Sequence, residues 1–463
     1  MGFLKSFFRE LRYYPSAIVG TLIILALLSL AVYAVVAIPY HRAVFLWRGT
    51  SDVWYRNPKM VPPEWVNYFR SKKLPTTVDL DSRQQGLVQR NEKKLGKGKQ
   101  IDLTYTFNYT ADEFPPEVVL YFYPTYASKQ PFVSGEWLTP DGRKIRLGNF
   151  SVTSGYSFHV GQDKDIARRL RRMLGVDIPP GLGLFVDPAS LPKDTSQPVD
   201  QKALRPLKGR YTVHISAITF GPQDDIQAEL LVYGGVHGIA GTDHLRRDLT
   251  VGLLWGAPVA MAFGLISALV IGLATMIIAA VGVWYGGVVD DLIQRITEIN
   301  MVLPFLPILI MVGIFVSRSL WMIMLVTIAL SIFGAGIKSY RAMFLQLRES
   351  PYIEAAQAYG AGDGRIIFLY LIPRILPMLI PGFISAIPSF VFLEASLAVL
   401  GIGDPVLPTW GKIIQDAQAN AALYKGLYYW ILEPSVLLMV TGLGFALLGF
   451  ALDRIFNPRL RQE

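Results

Sequence analysis

The 463-residue chain has no cysteine. That excludes a disulfide framework and a thiolate metal site, and it removes cysteine usage as a guide to redox compartment. Charge is also scarce, at 17% of residues against 52% hydrophobic, with a mean hydropathy of +0.37. So apolar a chain is not an ordinary pair of soluble domains; it points to a polytopic membrane protein. No G-x-x-x-x-G-K-[ST] loop occurs, so ATP is not bound by that route. Asp102, Asp112 and Glu113 have neither a nucleophile nor a histidine partner in a recognisable pattern, and no catalytic constellation, cofactor motif or metal set emerges. The net charge of +9 is spread over a long polar middle segment and small clusters beside apolar runs, which is not how a nucleic-acid-binding patch is built.

Long uncharged runs are what the chain does have. Residues 1–14 place Phe3, Leu4, Phe7, Phe8 and Leu11 at helical spacing, with Lys5, Arg9 and Arg12 elsewhere on the wheel, as in a short interfacial helix. Pro15 then suits a helix start, and 16–38 carries no charge. A signal-peptide core is shorter, so this is expected to be an uncleaved first span after a basic cytoplasmic N-terminus. Further spans are expected near 257–283, 299–317, 319–337, 375–398 and 434–451. That makes about six, with both termini on the cytoplasmic side. The short links carry charge clusters, DDLIQR at 290–295 and KSYR at 338–341.

Between the first and second spans the pattern changes to period two. Ile101, Leu103, Tyr105, Phe107 and Tyr109 alternate, 117–124 and 210–220 read as strands, and 137–147 reads as strand–turn–strand about Asp141-Gly142. Residues 165–175 read as a short basic helix. The expected organisation is 1–40 for the interfacial helix and first span, 41–236 for an extracytoplasmic, mainly antiparallel β domain, and 237–463 for a core of five spans. His159 and His214 fall in strands. His237, Asp243, His244 and Asp248 cluster in sequence but lack a helical H-x-x-x-H pattern, so a satisfied loop is expected rather than a metal site.

One polar stretch, SPYIEAAQAYGAGDGR at 350–365, stands between apolar runs. Ser350 followed by Pro351 is a helix-start signal. Tyr352, Ala355, Ala356 and Tyr359 share one face of the helix, and Gly360 is a natural left-handed stop. Asp363 is placed to cap the next helix. The outcome is a small-faced helical elbow joined to a spanning helix.

Glu354-Ala355-Ala356, Gly360 and Pro373 in this order resemble the EAA loop of permease subunits of binding-protein-dependent ABC importers. GTDHLRRD at 241–248, WYGGVVDDLIQRITEI after the second span and LEASLAVLGIGDPVLPTWGKII at 393–414 are similar to segments of the dipeptide/oligopeptide permease subfamily. Arg246 stands where that family has Gly, Tyr370 and Ile372 depart from its usual residues before the Pro, and the β domain has no counterpart. The resemblance covers the first span and about 237–463.

What the resemblance implies is a type I permease fold and a heterodimer with a second, homologous permease. Two cytosolic ABC ATPases and an extracytoplasmic solute-binding protein complete the assembly. ATP hydrolysis belongs to the partner subunits and not to this chain. Tyr352, Glu354, Ala355, Ala356, Tyr359, Gly360 and Asp363 would couple to the ATPases, while Glu394, Gly401, Trp410 and Gly411 would shape the outer mouth. Glu394 itself is expected at the interface, near a span end. Peptides lead as substrate, with nickel or oligosaccharides as alternatives. A membrane-anchored receptor whose β domain binds ligand is the alternative from another class. The β domain is expected to dock or enclose the binding protein or cap the partner permease, the plain alternative being a spacer.

Overall fold

A computed structural model describes residues 14–48, 51–192 and 199–456; the expected interfacial helix over 1–14 lies outside these residues, Tyr14 apart. The chain divides into two compact units, one of strands (Gly49–Leu249) and one of helices, built from the residues up to Arg48 and those from Thr250. Helices α1 (Pro15–Ala37) and α2 (Tyr40–Arg48) come first. The strands are β1 (Val78–Asp81), β2 (Gln89–Leu95), β3 (Gly98–Tyr109), β4 (Glu117–Thr125), β5 (Phe132–Leu138), β6 (Lys144–Ser151), β7 (Ser157–His159), β8 (Gly209–Ile218) and β9 (Asp225–Tyr233), with α3 (Lys164–Leu174) after β7. The helical unit resumes with α4 (Leu249–Tyr285), α5 (Gly287–Val302), α6 (Phe305–Phe315), α7 (Leu320–Ile332), α8 (Ala335–Arg348) and α9 (Pro351–Ala358). It ends with α10 (Asp363–Ile402), α11 (Trp410–Ala419) and α12 (Tyr429–Phe456).

The strand unit is a pair of antiparallel sheets, ordered β1-β9-β4-β7 and β2-β3-β8-β5-β6. One core serves both. The inward-facing Ile101, Leu103, Tyr105 and Phe107 of β3 pack with Val118, Leu120 and Phe122 of β4 and with Trp137 of β5. Tyr105 carries its polar tip into this core and donates to the Ala228 carbonyl at 2.8 Å, which removes the cost of a buried hydroxyl. The turn between β5 and β6 uses Gly142 at φ +85°. Helix α3 starts at Asp163, whose carboxylate accepts from the Asp165 and Ile166 amides, and stops at Gly175 with φ +75°.

The units divide after Arg48 and after Leu249, against the expected division at 41 and 236. Helix α2 belongs with the helices: Ala43 and Trp47 are buried there, and Trp255 of α4 donates its indole N–H to the Ile38 carbonyl at 2.9 Å. The segment 241–248 belongs with the strands. Thr242 Oγ1 donates to the Pro58 carbonyl at 2.8 Å, and the Met60 amide donates to the Asp243 carbonyl at 3.1 Å.

Among the described residues four helices are long and apolar enough to cross a membrane: α1, α4, α10 and α12. The count reaches six if each of two bent pairs is one span. These pairs cover 287–315 and 320–348, where spans were expected near 299–317 and 319–337. Helices α5 and α6 bend by 76° and α7 and α8 by 44°. At 1.5 Å per residue α6 alone reaches about 16 Å, half of a hydrocarbon core of about 30 Å. The first bend has a local cause in Pro304, which has no N–H to continue the ladder. At the second, the amide of Asn300 donates to the Leu330 and Phe333 carbonyls at 2.7 and 3.2 Å. It satisfies backbone groups that a break in an apolar environment would strand. Helices α1 and α12 approach at Gly20 and Gly444, where a Cβ on Gly20 would lie 2.8 Å from the Gly444 carbonyl oxygen, a small-residue contact of the kind that holds membrane helices together.

Candidate functional site

The elbow is helix α9 with its two ends. Ser350 is the N-cap residue but bonds backwards: its hydroxyl donates to the Leu347 carbonyl and caps no α9 amide. Pro351 opens the helix and Glu354 lies in its first turn, where a negative charge complements the helix dipole. At the other end Gly360 takes φ +76°. Its amide donates to Gln357 at 2.8 Å and that of Ala361 to Ala356 at 3.0 Å, the paired bonds of a Schellman stop. Asp363 does not cap the next helix. Gly362 holds the cap position and Asp363 is already in the first turn, so its contribution is to the dipole.

The two alanines part company. Ala356 is buried, at 7% exposure, and Ile353, three residues before it, packs into a cluster with Met276, Ala279 and Val283 of α4 and Phe344 of α8. Ala355 is exposed, as are Tyr352, Glu354 and Tyr359, the last at 93%. Ala356 is therefore buried rather than part of the free face, although it still reaches the rim of a concavity of about 340 Å³ that Tyr352, Ala355, Tyr359, Ala361, Arg365 and Tyr370 also line. After Gly362 the chain re-enters as α10 through a π-helical segment, Ile366–Leu371, whose Ile366, Ile367 and Leu371 are buried in the same cluster.

Two ionic contacts around the elbow were not legible beforehand. Arg341 of α8 donates from Nε to both carboxylate oxygens of Asp290 in α5 at 2.9 Å. Arg348 donates to the Val283 carbonyl at 2.9 Å, covering the last turn of α4 as a cation does at a helix C-terminus. The only advance signal was that the links holding Asp290 and Arg341 carry charges of opposite sign.

The second group, Glu394, Gly401, Trp410 and Gly411, lies where α10 meets α11. Glu394 is buried, at 5% exposure. Gly401 ends the helix at φ +90°. Thr409 caps α11, accepting from the Lys412 amide at 3.1 Å. The buried Trp410 donates to the Leu253 carbonyl of α4 at 2.9 Å. A Cβ on Gly256 of α4 would stand 2.1 Å from the Trp410 ring, and one on Gly411 would stand 2.6 Å from Ala395 Cα. These residues seat α11 against α4 and α10. Asp404, not singled out beforehand, caps α7 from a distance: it accepts from the Leu320 amide at 2.9 Å and from Val406 at 2.7 Å.

Within the strand unit Arg246 takes φ +65°, the left-handed conformation natural to Gly, and so keeps the turn. Its side chain donates to the Asn57 carbonyl at 2.8 Å and to Glu117 at 2.6 Å, and lies over the Tyr233 ring. Burial pushes the Glu117 carboxyl up, but hydrogen bonds from Arg246 and His159 outweigh it and hold the group below the usual carboxylate range. Asp243 accepts from Arg247 and from the Leu245 and Arg247 amides. His214 bonds Thr104 at 3.0 Å.

Residues 271–462 match the family model described as "Binding-protein-dependent transport system inner membrane component", and the strand unit lies outside that match. A peptide transport system permease protein of Brucella abortus is 31% identical over 235 residues, 50% of this chain and 76% of that protein. The oligopeptide transport system permease protein OppC of Bacillus subtilis is 28% identical over 225 residues, covering 48% and 72%. The dipeptide permease DppC of the same organism is 28% identical over 225 residues, covering 48% and 69%. With its multi-pass helical unit and the elbow at 350–365, the chain belongs to the permease subunits of binding-protein-dependent ABC importers, in their dipeptide/oligopeptide subfamily.

Proposed function

We propose that the chain is one half of the translocation path of an ATP-driven importer of peptides or similar small solutes. It would pair with a second permease, sit above two ABC ATPases and receive solute from an extracytoplasmic binding protein. The elbow at 350–365 then faces the cytosol, both termini lie on that side, and the strand unit lies outside. The supporting observation is the division of labour on α9: Ile353 roots it in α4 and α8 and Ala356 is buried, while Ala355 and Tyr359 stay exposed. A face built on alanine lets a partner approach closely, and a charged side chain there meets the partner rather than the fold. The relatives named for oligopeptide and dipeptide transport favour peptides as the solute.

Affinity purification of the tagged chain in mild detergent, with identification of bound proteins and an ATPase assay, tests this. Wild type is expected to bring down a second permease and two ATPases. Ala355→Arg is expected to lose the ATPases while keeping the second permease and its own thermal transition, as burial of an unmatched charge at an interface centre costs about 2 kcal/mol or more. An Ala355→Arg complex with ATPases bound and hydrolysis still coupled to uptake would refute the assignment of this face.

A further inference from the structure

We propose that the turn at 64–69 of the strand unit is a lipid-interface anchor, seating in the headgroup layer of the bilayer. This short 3-10 turn, Glu64–Tyr68 followed by Phe69, leaves Tyr68 88% and Phe69 83% exposed, with Trp65 half-exposed beside them at a ring separation of 6.3 Å from Phe69. Ile239 joins them at 76% exposure. In a strand unit whose other large aromatics are mostly interior, this is a concentrated apolar surface.

Three observations select lipid as its occupant. The first is residue type: Trp, Tyr and Phe together, followed by Arg70, Lys72 and Lys73, pair amphipathic rings with cations, as interfacial segments do. Lys72 and Lys73 complement the phosphates of anionic headgroups, while Arg70 is paired with Glu113 at 2.8 Å. The second is how the indole is satisfied. Trp65 donates its N–H to the Ile239 carbonyl at 2.9 Å, so the outward ring edge has no polar claim of its own. The third is continuity with the membrane. The turn is tied to the loop that leads into α4: the Glu64 amide donates to the Gly238 carbonyl at 2.9 Å, and the Leu249 amide to Gly241 at 3.1 Å. Ile239 is two residues from Gly241, a reach of about 7 Å at most, and Leu249 is the first residue of α4. That helix, about 55 Å long against a hydrocarbon core of about 30 Å, puts its first turn at headgroup level. The inference needs only that α4 spans a bilayer and does not rest on the solute carried.

Because the natural chain has no cysteine, Tyr68→Cys, Ile239→Cys and Lys97→Cys each create a unique thiol, Lys97 being the exposed reference in the turn between β2 and β3. Each full-length variant, purified with its partners and reconstituted in phosphatidylethanolamine/phosphatidylglycerol vesicles, is labelled with nitrobenzoxadiazole. The expected result is a blue-shifted emission at 68 and 239. A nitroxide near the top of the acyl chain should quench it several-fold more than aqueous iodide does, with the reverse order at 97. Labels at 68 and 239 that follow 97 would overturn the proposal. So would labels shielded only when a soluble protein partner is added, which would make the turn a protein-docking surface. Using two label positions guards against loss of one ring weakening the anchor.

Discussion

Adding one methyl group at Gly411 tests the packing of the second group of site residues directly. A Cβ there would lie 2.6 Å from Ala395 Cα, 2.8 Å from the Ala395 carbonyl oxygen and 2.8 Å from Ala398 Cβ. Non-bonded carbon atoms settle at about 3.5–4.0 Å, so α11 would have to retreat by roughly 1 Å from α10. Two of the three obstructing atoms are backbone and cannot rotate away. Overpacking of this kind costs about 1–3 kcal/mol, and the backbone contacts put Gly411→Ala toward the upper part of that range. Alanine's better helix propensity returns less than about 1 kcal/mol, leaving a net loss of about 2 kcal/mol. Retreat of α11 also strains the Trp410 bond to Leu253, so solute uptake should fall along with stability. The assay is thermal unfolding of the purified complex in nanodiscs, beside uptake into proteoliposomes. Gly161→Ala, outside both groups of site residues and with open space around its added atom, is the control and should behave as wild type. Gly411→Ala/Ala398→Gly removes one obstruction of three and should recover only part of the loss. A Gly411→Ala protein with wild-type unfolding and uptake would show that α11 does not approach α10 at Ala395.

Three other outcomes follow from particular contacts. Burial, with Glu229 alongside, pushes Asp79 up to about 6, above its unfolded value, so its ionised form opposes folding at pH 7. That penalty fades as pH falls through 6 toward the unfolded pKa. Hydrogen exchange in β1 and β9, corrected for intrinsic rate, should slow between pH 7 and pH 5 in wild type and lose that component in Asp79→Asn; half-exposure limits the effect to about 1 kcal/mol. Arg341→Ala strands the Asp290 carboxylate among helices and should cost about 1–3 kcal/mol, whereas Arg341→Ala/Asp290→Ala should cost less than the sum of the single changes; additive losses in thermal unfolding would deny the coupling. Ile353→Ala leaves the free face of α9 intact but empties its anchor, at about 2–4 kcal/mol. ATPases should still co-purify with this variant while ATP hydrolysis no longer drives uptake, and full coupling would count against the anchor.

Strand β3 was readable because its two faces differ: Ile101, Leu103, Tyr105 and Phe107 point to the core and their neighbours outward. Strand β9 was not. Its residues 228–233 are buried on both faces, one against the common core and the other, through Leu231 and Tyr233, against Val119, Tyr121 and Tyr55, so no alternation survives in the sequence. The bends at 303–304 and 333–334 hid inside runs whose hydropathy is continuous; Pro304 was visible, but Asn300, which makes the second bend tolerable, acts across 30 residues or more. The elbow's start and stop were local signals in Ser350, Pro351 and Gly360. The direction of Ala356 was not, because alanine fits either face and only the pairing with Ile353 reveals it. Contacts such as Asp290 with Arg341 and Asp404 with the α7 amide join distant residues, and a single sequence carries no record of them.

The anchoring of α9 bears on how movement at the elbow would reach the spans if the chain works as proposed. The backbone route runs through Gly360, Ala361 and Gly362 into α10, and Gly360 and Gly362 are exposed with open space around them. A hinge of that kind passes on little torque. The packed route is stiffer. Ile353 packs with Met276, Ala279 and Val283 of α4 and with Phe344 of α8, and the same cluster holds Ile366, Ile367 and Leu371 of the π-helical turn. Close-packed side chains transmit displacement, so a push on the free face would tilt the inner ends of α4, α8 and α10 together instead of pulling α10 alone. The Asp290–Arg341 pair then carries α5 with α8, bringing both bent pairs into the motion without placing an unpaired charge among the helices.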